Sequence, residues 1–231
     1  MFFTKLSYSS VFNLSEQIVA KKSLVISKNV CSTENFDLTF YSFGENEGIT
    51  WQTVPSDLLL LVLDGCVNFE TKQNNQTKLE IAQKGDAMFI KSQNEFQISG
   101  KKNTPYKMLF MAVNKNLNGE NSMFIKNFDQ GKVVTLKNQV EFEKGTIVSK
   151  TLVNSPALTM TLFAFDEGQG VSTHAAAGDA FVVCLEGNAE ITLNGEKLSI
   201  REGESLIMPA GAPHALKAVT PYKMLLTVVK A

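Results

Sequence analysis

The chain contains itself twice, and no other feature limits its fold so strongly. Shifted by 122 residues, the sequence meets itself without a gap from Met1 to about Glu70. Met1-Phe2 falls on Met123-Phe124, Val11 and Leu14 on Val133 and Leu136, Phe43 on Phe165, and Asp57 on Asp179. Leu63-Asp64-Gly65 falls on Leu185-Glu186-Gly187. The first copy then carries a polar insertion, TKQNNQTK, after which Gly85 falls on Gly203. The match closes on TPYKML, which occurs at Thr104–Leu109 and again at Thr220–Leu225. A unit of about 110 residues is too long for a solenoid repeat and has the size of a domain. The expectation is a duplicated domain, residues 1–116 and 117–231, with the boundary in the polar stretch NKNLNGENS.

Composition narrows what two such domains can be. Apolar residues are 44% and charged residues 19% of the 231 positions, a globular balance. The net charge of -1 offers no general attraction to nucleic acid or anionic lipid. Arg201 is the only arginine, which excludes a multi-arginine phosphate clamp. The lysine pairs Lys21-Lys22 and Lys101-Lys102 lack the interleaved aromatics of a nucleic-acid platform. Cys31, Cys66 and Cys184 are too few and too scattered for a disulfide framework, and read as reduced thiols. The start, MFFTKLSYSS, lacks the form of a secretion signal, and no apolar run reaches membrane-spanning length. A cytoplasmic location is expected, with no membrane partner and no nucleic acid.

The local pattern is β throughout. ALTMTLFAF and AFVVCLEG read as strands, and NAEITLNGEKLSI alternates about Asn194-Gly195, a strong hairpin signal. REGESLIMPAGAPHAL gives a turn, a strand and a Pro/Gly corner, and TPYKMLLTVVK a last strand. Long amphipathic helices are absent, the best candidate being a turn or so within Leu14–Val19. Short strands at this spacing predict a sandwich or rolled barrel.

The second copy resembles the cupin family. Gly168, His174 and Gly187 fit the first cupin motif, G(x)5HxH(x)3-4E(x)6G, and Gly203, Pro209, Gly211 and His214 fit the second, G(x)5PxGxxH(x)3N. Fifteen residues separate the motifs, as in small microbial cupins. The resemblance implies an all-β protein of two tandem RmlC-like jelly-roll barrels, a bicupin. It also implies a divalent metal (Fe, Mn, Ni or Zn) held by the motif histidines and glutamate.

The ligand set is depleted. Ala176 stands at the second histidine position, Ala180 at the glutamate and Ala218 at the terminal asparagine. Both histidines of the chain, His174 and His214, nevertheless fall on ligand positions. Asp179 would complete a two-histidine, one-carboxylate face, although strand alternation turns it away from Ala180 and a turn-forming role competes. The first copy is further eroded. Gln52, Val54, Leu58 and Phe96 stand at its ligand positions, and Phe96 with Trp51 is expected to fill that barrel's mouth.

Cys184, by its parity with Ala180, is expected to face inward, with Val182, Met208 and Met224 as apolar walls. The small side chains of HAAAGDA leave space beside His174 for a small organic ligand. The reading is a bicupin whose C-terminal pocket, His174 and His214 with Cys184, Met208, Met224 and Val182, binds a small organic molecule. Two others stay open: a metal-dependent dioxygenase or isomerase, with His174, His214 and Asp179 on the metal, and a non-enzymatic scaffold or sensor. The doubled domain is expected to form a pseudo-dimer within one chain, with a homodimer of the chain left open.

Overall fold

The computed structural model describes residues 1–73, 76–114 and 125–230. The expected boundary at residue 116 and most of NKNLNGENS lie outside the described residues. The first copy contributes β1 (Phe12–Asn13), β2 (Val25–Ser32), β3 (Phe36–Phe43), β4 (Gly48–Gln52), β5 (Asp57–Asp64), β6 (Cys66–Gln73), β7 (Gln76–Gln83), β8 (Asp86–Ile90), β9 (Phe96–Gly100) and β10 (Tyr106–Val113). The second contributes β11 (Val133–Thr135), β12 (Ile147–Asn154), β13 (Leu158–Phe165), β14 (Gly170–Ala175), β15 (Asp179–Glu186), β16 (Asn188–Leu193), β17 (Glu196–Arg201), β18 (Glu204–Met208), β19 (Pro213–Ala218) and β20 (Tyr222–Val229). Each strand has its counterpart ten labels later, as the repeat requires. The expected helical turn is a 3-10 turn, Ser15–Gln17, mirrored by Leu136–Gln139.

Each half builds a six-stranded and a four-stranded antiparallel sheet. The N-terminal barrel has orders β11-β8-β5-β10-β3-β2 and β4-β9-β6-β7, and the C-terminal barrel β1-β18-β15-β20-β13-β12 and β14-β19-β16-β17. The hairpin expected at Asn194-Gly195 joins β16 to β17. Both of its turn residues have positive φ, 52° and 88°, which matches the twist of the strands it connects.

The sheet orders carry one exchange. β1 belongs to the first copy in sequence but pairs with β18 of the second, while β11 pairs with β8 of the first. The compact units are accordingly 15–136 on one side and 1–14 with 137–231 on the other. This differs from the expected domains, 1–116 and 117–231. The repeat marks where the gene was doubled, whereas the units are fixed by which strands the two arms, residues 1–14 and 125–136, hydrogen-bond.

Period-two alternation fills each barrel. Leu58, Leu60 and Val62 of β5 enter the N-terminal core with Val67, Phe69 and Ile98. Ala180, Val182 and Cys184 of β15 enter the C-terminal core with Ile191, Leu206 and Met224. The inward parity expected of Cys184 follows from the same alternation. Full burial of a side chain such as Leu60 contributes about 1.5–3 kcal/mol.

Candidate functional site

His174 and His214 meet across a strand pair. β14 is an edge strand of the four-stranded sheet and β19 its neighbour, with His174 directly opposite His214. Directly opposed residues of an antiparallel pair share a face. That face is the inner one, because His214 also lies opposite Leu193 of β16, a member of the barrel core. The ring centroids are 4.4 Å apart and the ring planes inclined by 58°. His214 is buried, with 6% of its surface exposed, and His174 is exposed on its edge strand.

Each ring is oriented by a backbone carbonyl two residues before it. Nδ1 of His174 lies 2.9 Å from the Ser172 carbonyl oxygen, and Nδ1 of His214 lies 2.9 Å from that of Ala212. A carbonyl oxygen only accepts, so each Nδ1 is the protonated nitrogen and donates. In the neutral ring Nε2 then holds the lone pair. Burial pushes the pKa of His214 below its ordinary value, and the neighbouring His174 pushes the same way, against the hydrogen bond to Ala212.

The loops between strands are tied to one another at this end of the barrel. The Gly211 amide donates to the Ala176 carbonyl at 2.9 Å, and the Ala210 amide to Oδ1 of Asp179 at 2.9 Å. Ala180, Met208, Ala212 and the partly buried Ala176 therefore stand at the histidine end of the core. Val182 lies one inward step deeper, opposite Leu206. Cys184 and Met224 pair with each other near the other end, by Gly187 and Tyr222. Cys184 lies four residue steps along the strand from Ala180, about 13 Å at the usual rise. Of the six expected pocket residues, His174 and His214 face each other, and Val182, Cys184, Met208 and Met224 share one core cluster, with Cys184 and Met224 toward its other end. Burial raises the Cys184 thiol to about 12, so it is an inert core group.

The equivalent end of the N-terminal barrel is plugged. Gln52 opposes Phe96 where His174 opposes His214. Phe96 is fully buried, Leu58 is in the same core, and Val54 packs against it. Trp51 departs from expectation. It precedes Gln52 on the strand and so takes the other face, where Nζ of Lys72 sits 4.6 Å from its ring centroid. Phe96 is thus the aromatic that enters the core.

Asp179 is occupied elsewhere. Its Oδ2 accepts from the Phe2 amide and the Tyr8 hydroxyl, both at 2.6 Å, and its Oδ1 from Ala210. Burial acts to raise its pKa, and the bonds from Tyr8, Phe2 and Ala210 outweigh it and hold the carboxyl below the ordinary carboxylate value. The ring of Phe3 packs on Phe181, with centroids 5.5 Å apart. Asp57 repeats the device in the other unit, accepting from the Ser92 amide at 2.9 Å and the Ile125 amide at 3.4 Å. The two aspartates are therefore latches for the exchanged arms rather than simple turn formers. Sequence reading missed Phe2, Tyr8 and the carbonyls of Ser172 and Ala212. Their signal was limited to two aspartates kept at matching positions while the ligand positions were lost.

This latch corrects the expectation that Asp179 joins the histidines on a metal. Among the described residues no three His, Cys, Asp or Glu side chains gather as a metal site. The donor set of the histidine end is two imidazoles, with alanines where the other ligands would stand. A catalytic site in a barrel of this kind takes three protein ligands, and the residues present do not fit that metal. No helix among the described residues is long and apolar enough to cross a membrane.

The comparisons with known proteins agree with this fold. The family model described as "Cupin domain" matches residues 161–229. The cupin 2 conserved barrel domain protein from Leptotrichia buccalis superposes with a TM-score of 0.82 at 25% identity, over 99% of this chain and 100% of that one. A conserved protein of unknown function from Streptococcus pyogenes is 42% identical over 48% of this chain and 98% of its own, with a TM-score of 0.47. Salicylate 1,2-dioxygenase from Pseudoaminobacter salicylatoxidans shares the fold alone, with a TM-score of 0.60 at 12% identity over 85% of this chain and 71% of that one. No curated protein matches the sequence. With two like barrels, both motif spacings in the second, and a barrel-domain relative matched along its whole length, the chain has the cupin fold and carries a cupin domain at residues 161–229.

Proposed function

We propose that this protein is a two-barrel binder of a small organic molecule, held at the histidine end of the C-terminal barrel between His174 and His214. The observation that carries the reading is the contrast at equivalent positions. Val54, Leu58 and Phe96 plug one barrel, and Ala176, Ala180 and His214 stand in the other. Two of these side chains are shorter by two and three carbons, and the third is polar. Small side chains beneath two imidazoles, with Met208 as an apolar wall and Val182 below, suit a compact ligand. The dioxygenase name of one structural neighbour is not carried over, because the donor set here lacks the third metal ligand.

The N-terminal barrel acts as scaffold in this reading. The exchange of arms supports a pseudo-dimer within one chain, since fusing two copies that swap arms leaves each unit with the other's segment. Three free thiols support a reducing, cytoplasmic setting.

Native mass spectrometry of the full chain, incubated with a mixture of small metabolites, tests the proposal. A bound mass that is present with the natural chain and lost with His174→Gln/His214→Gln supports it. Adducts that are absent, or unchanged in the double variant, overturn it. Metal analysis of the same samples separates the competing reading. Near one equivalent of a divalent ion, lost in the double variant, would favour the metal enzyme.

A further inference from the structure

We infer that the ligand of this site is a neutral molecule that donates hydrogen bonds, a small hydroxyl compound, and that carboxylates and phosphates are turned away. The inference rests on the binding reading above and adds the chemical class. Its first support is the direction of the hydrogen bonds. Both Nδ1–H groups are committed to the carbonyls of Ser172 and Ala212, so in a neutral ring Nε2 is the nitrogen left to accept from a ligand. Two adjacent acceptors need a donor. An anion would meet them lone pair to lone pair.

The second support is the charge of the lining. Among the described residues Lys223 is the one buried lysine or arginine. On the strands that bear the C-terminal core, the cations take the outward parity. Lys217 alternates with inward Leu216 and Ala218, Arg201 follows inward Ile200, and Lys223 precedes inward Met224. Lys223 pairs with Glu186 at 3.7 Å, and Lys197 with Glu190 at 2.9 Å. The carboxylate beside this end, Asp179, is committed to the arm and carries the wrong sign for an anion. A desolvated anion with no cation costs several kcal/mol. Protonating a ring could supply the cation, but burial and the ring 4.4 Å away both oppose this for His214. Alcohols and phenols carry no such cost, and their carbon skeletons suit the alanines and Met208.

The chain has only two histidines, so imidazole nitrogen NMR of the full-length protein reads this site and no other. The probes are a size series of alcohols, methanol to benzyl alcohol, against the matched acids, formate to benzoate, at pH 7.5. The expected result is saturable movement of both Nε2 signals toward the protonated position with an alcohol, while both Nδ1 signals stay. The best alcohol should bind at least tenfold more tightly than its matched acid. His174→Gln, at an exposed position, should keep the fold and weaken the alcohol. Acids binding as well as alcohols would overturn the inference and leave the binding site standing. No probe moving either ring would overturn the binding reading, and this inference with it.

Discussion

The two barrels share strand order and latch, and besides a longer β6–β7 hairpin in the first they differ at the end where the motif histidines stand. At that end the N-terminal barrel pairs Gln52 with Phe96, and the C-terminal barrel pairs His174 with His214. The same backbone can therefore close over an aromatic plug or present two oriented imidazoles. The choice lies in a few inward positions, because the strands are set by the remaining alternation. A barrel freed from binding can spend its mouth on packing. A barrel that keeps a site must leave small side chains there and accept less buried surface.

The largest expected effect tests the plug. Phe96→Ala should cost about 3–5 kcal/mol, as for a fully buried aromatic, read as a fall in the urea midpoint. His214→Ala should cost far less stability and abolish ligand binding. If the two losses were alike in size and kind, the division of labour between the barrels would fail.

Next in size are the latches. Asp179→Ala strands three donors at a buried site and should cost about 2–3 kcal/mol. Hydrogen exchange should show arm residues 1–14 released while β15 to β20 stay protected. Asp57→Ala should loosen arm 125–136 in the same way. A global, undifferentiated loss of protection would argue against the arms as separate elements.

A smaller effect comes from pH. The folded pKa of His214 lies below its ordinary 6.5, so the unfolded chain takes up the proton first as pH falls. The contribution is fully present above about pH 6.5 and is lost as pH falls through the folded value. The N-terminal barrel has no histidine and contributes nothing of this kind. The drop in urea midpoint between pH 7 and pH 5 should therefore be shallower in His214→Gln than in the natural chain. An unchanged slope would remove the case for a desolvated ring.

The smallest effect is at Cys184. With its thiol pushed up to about 12 and its place near the far end of the barrel, it should resist iodoacetamide in the folded protein at pH 7.5. Cys184→Ala should leave ligand affinity within about twofold, because the side chain lies about 13 Å of strand from Ala180. A large change would place the ligand deeper than the histidine end.

Much of this was legible in the residues. The doubling, the hairpin at Asn194-Gly195 and the motif glycines Gly85 and Gly203, both at positive φ, are local signals that the chain obeys locally. The meeting of His174 with His214 was legible through motif spacing, and the inward parity of Cys184 through strand alternation. How far Cys184 lies from the histidines was not, because parity gives a face and says nothing of depth along the barrel. Nor was the role of Asp179. Its partners, Phe2 and Tyr8, are remote in sequence, and backbone amides leave no mark on composition.

The sequence by itself determined that there would be two β-barrels of one kind, and that one alone would carry imidazoles, because strand period and motif spacing are short-range properties. Tertiary structure alone decided that the arms change places, that the carboxylate of Asp179 serves a latch, and that both rings commit Nδ1 to a backbone carbonyl. Those outcomes depend on which distant donors and acceptors meet once the strands have paired, and that pairing is set by the whole sheet.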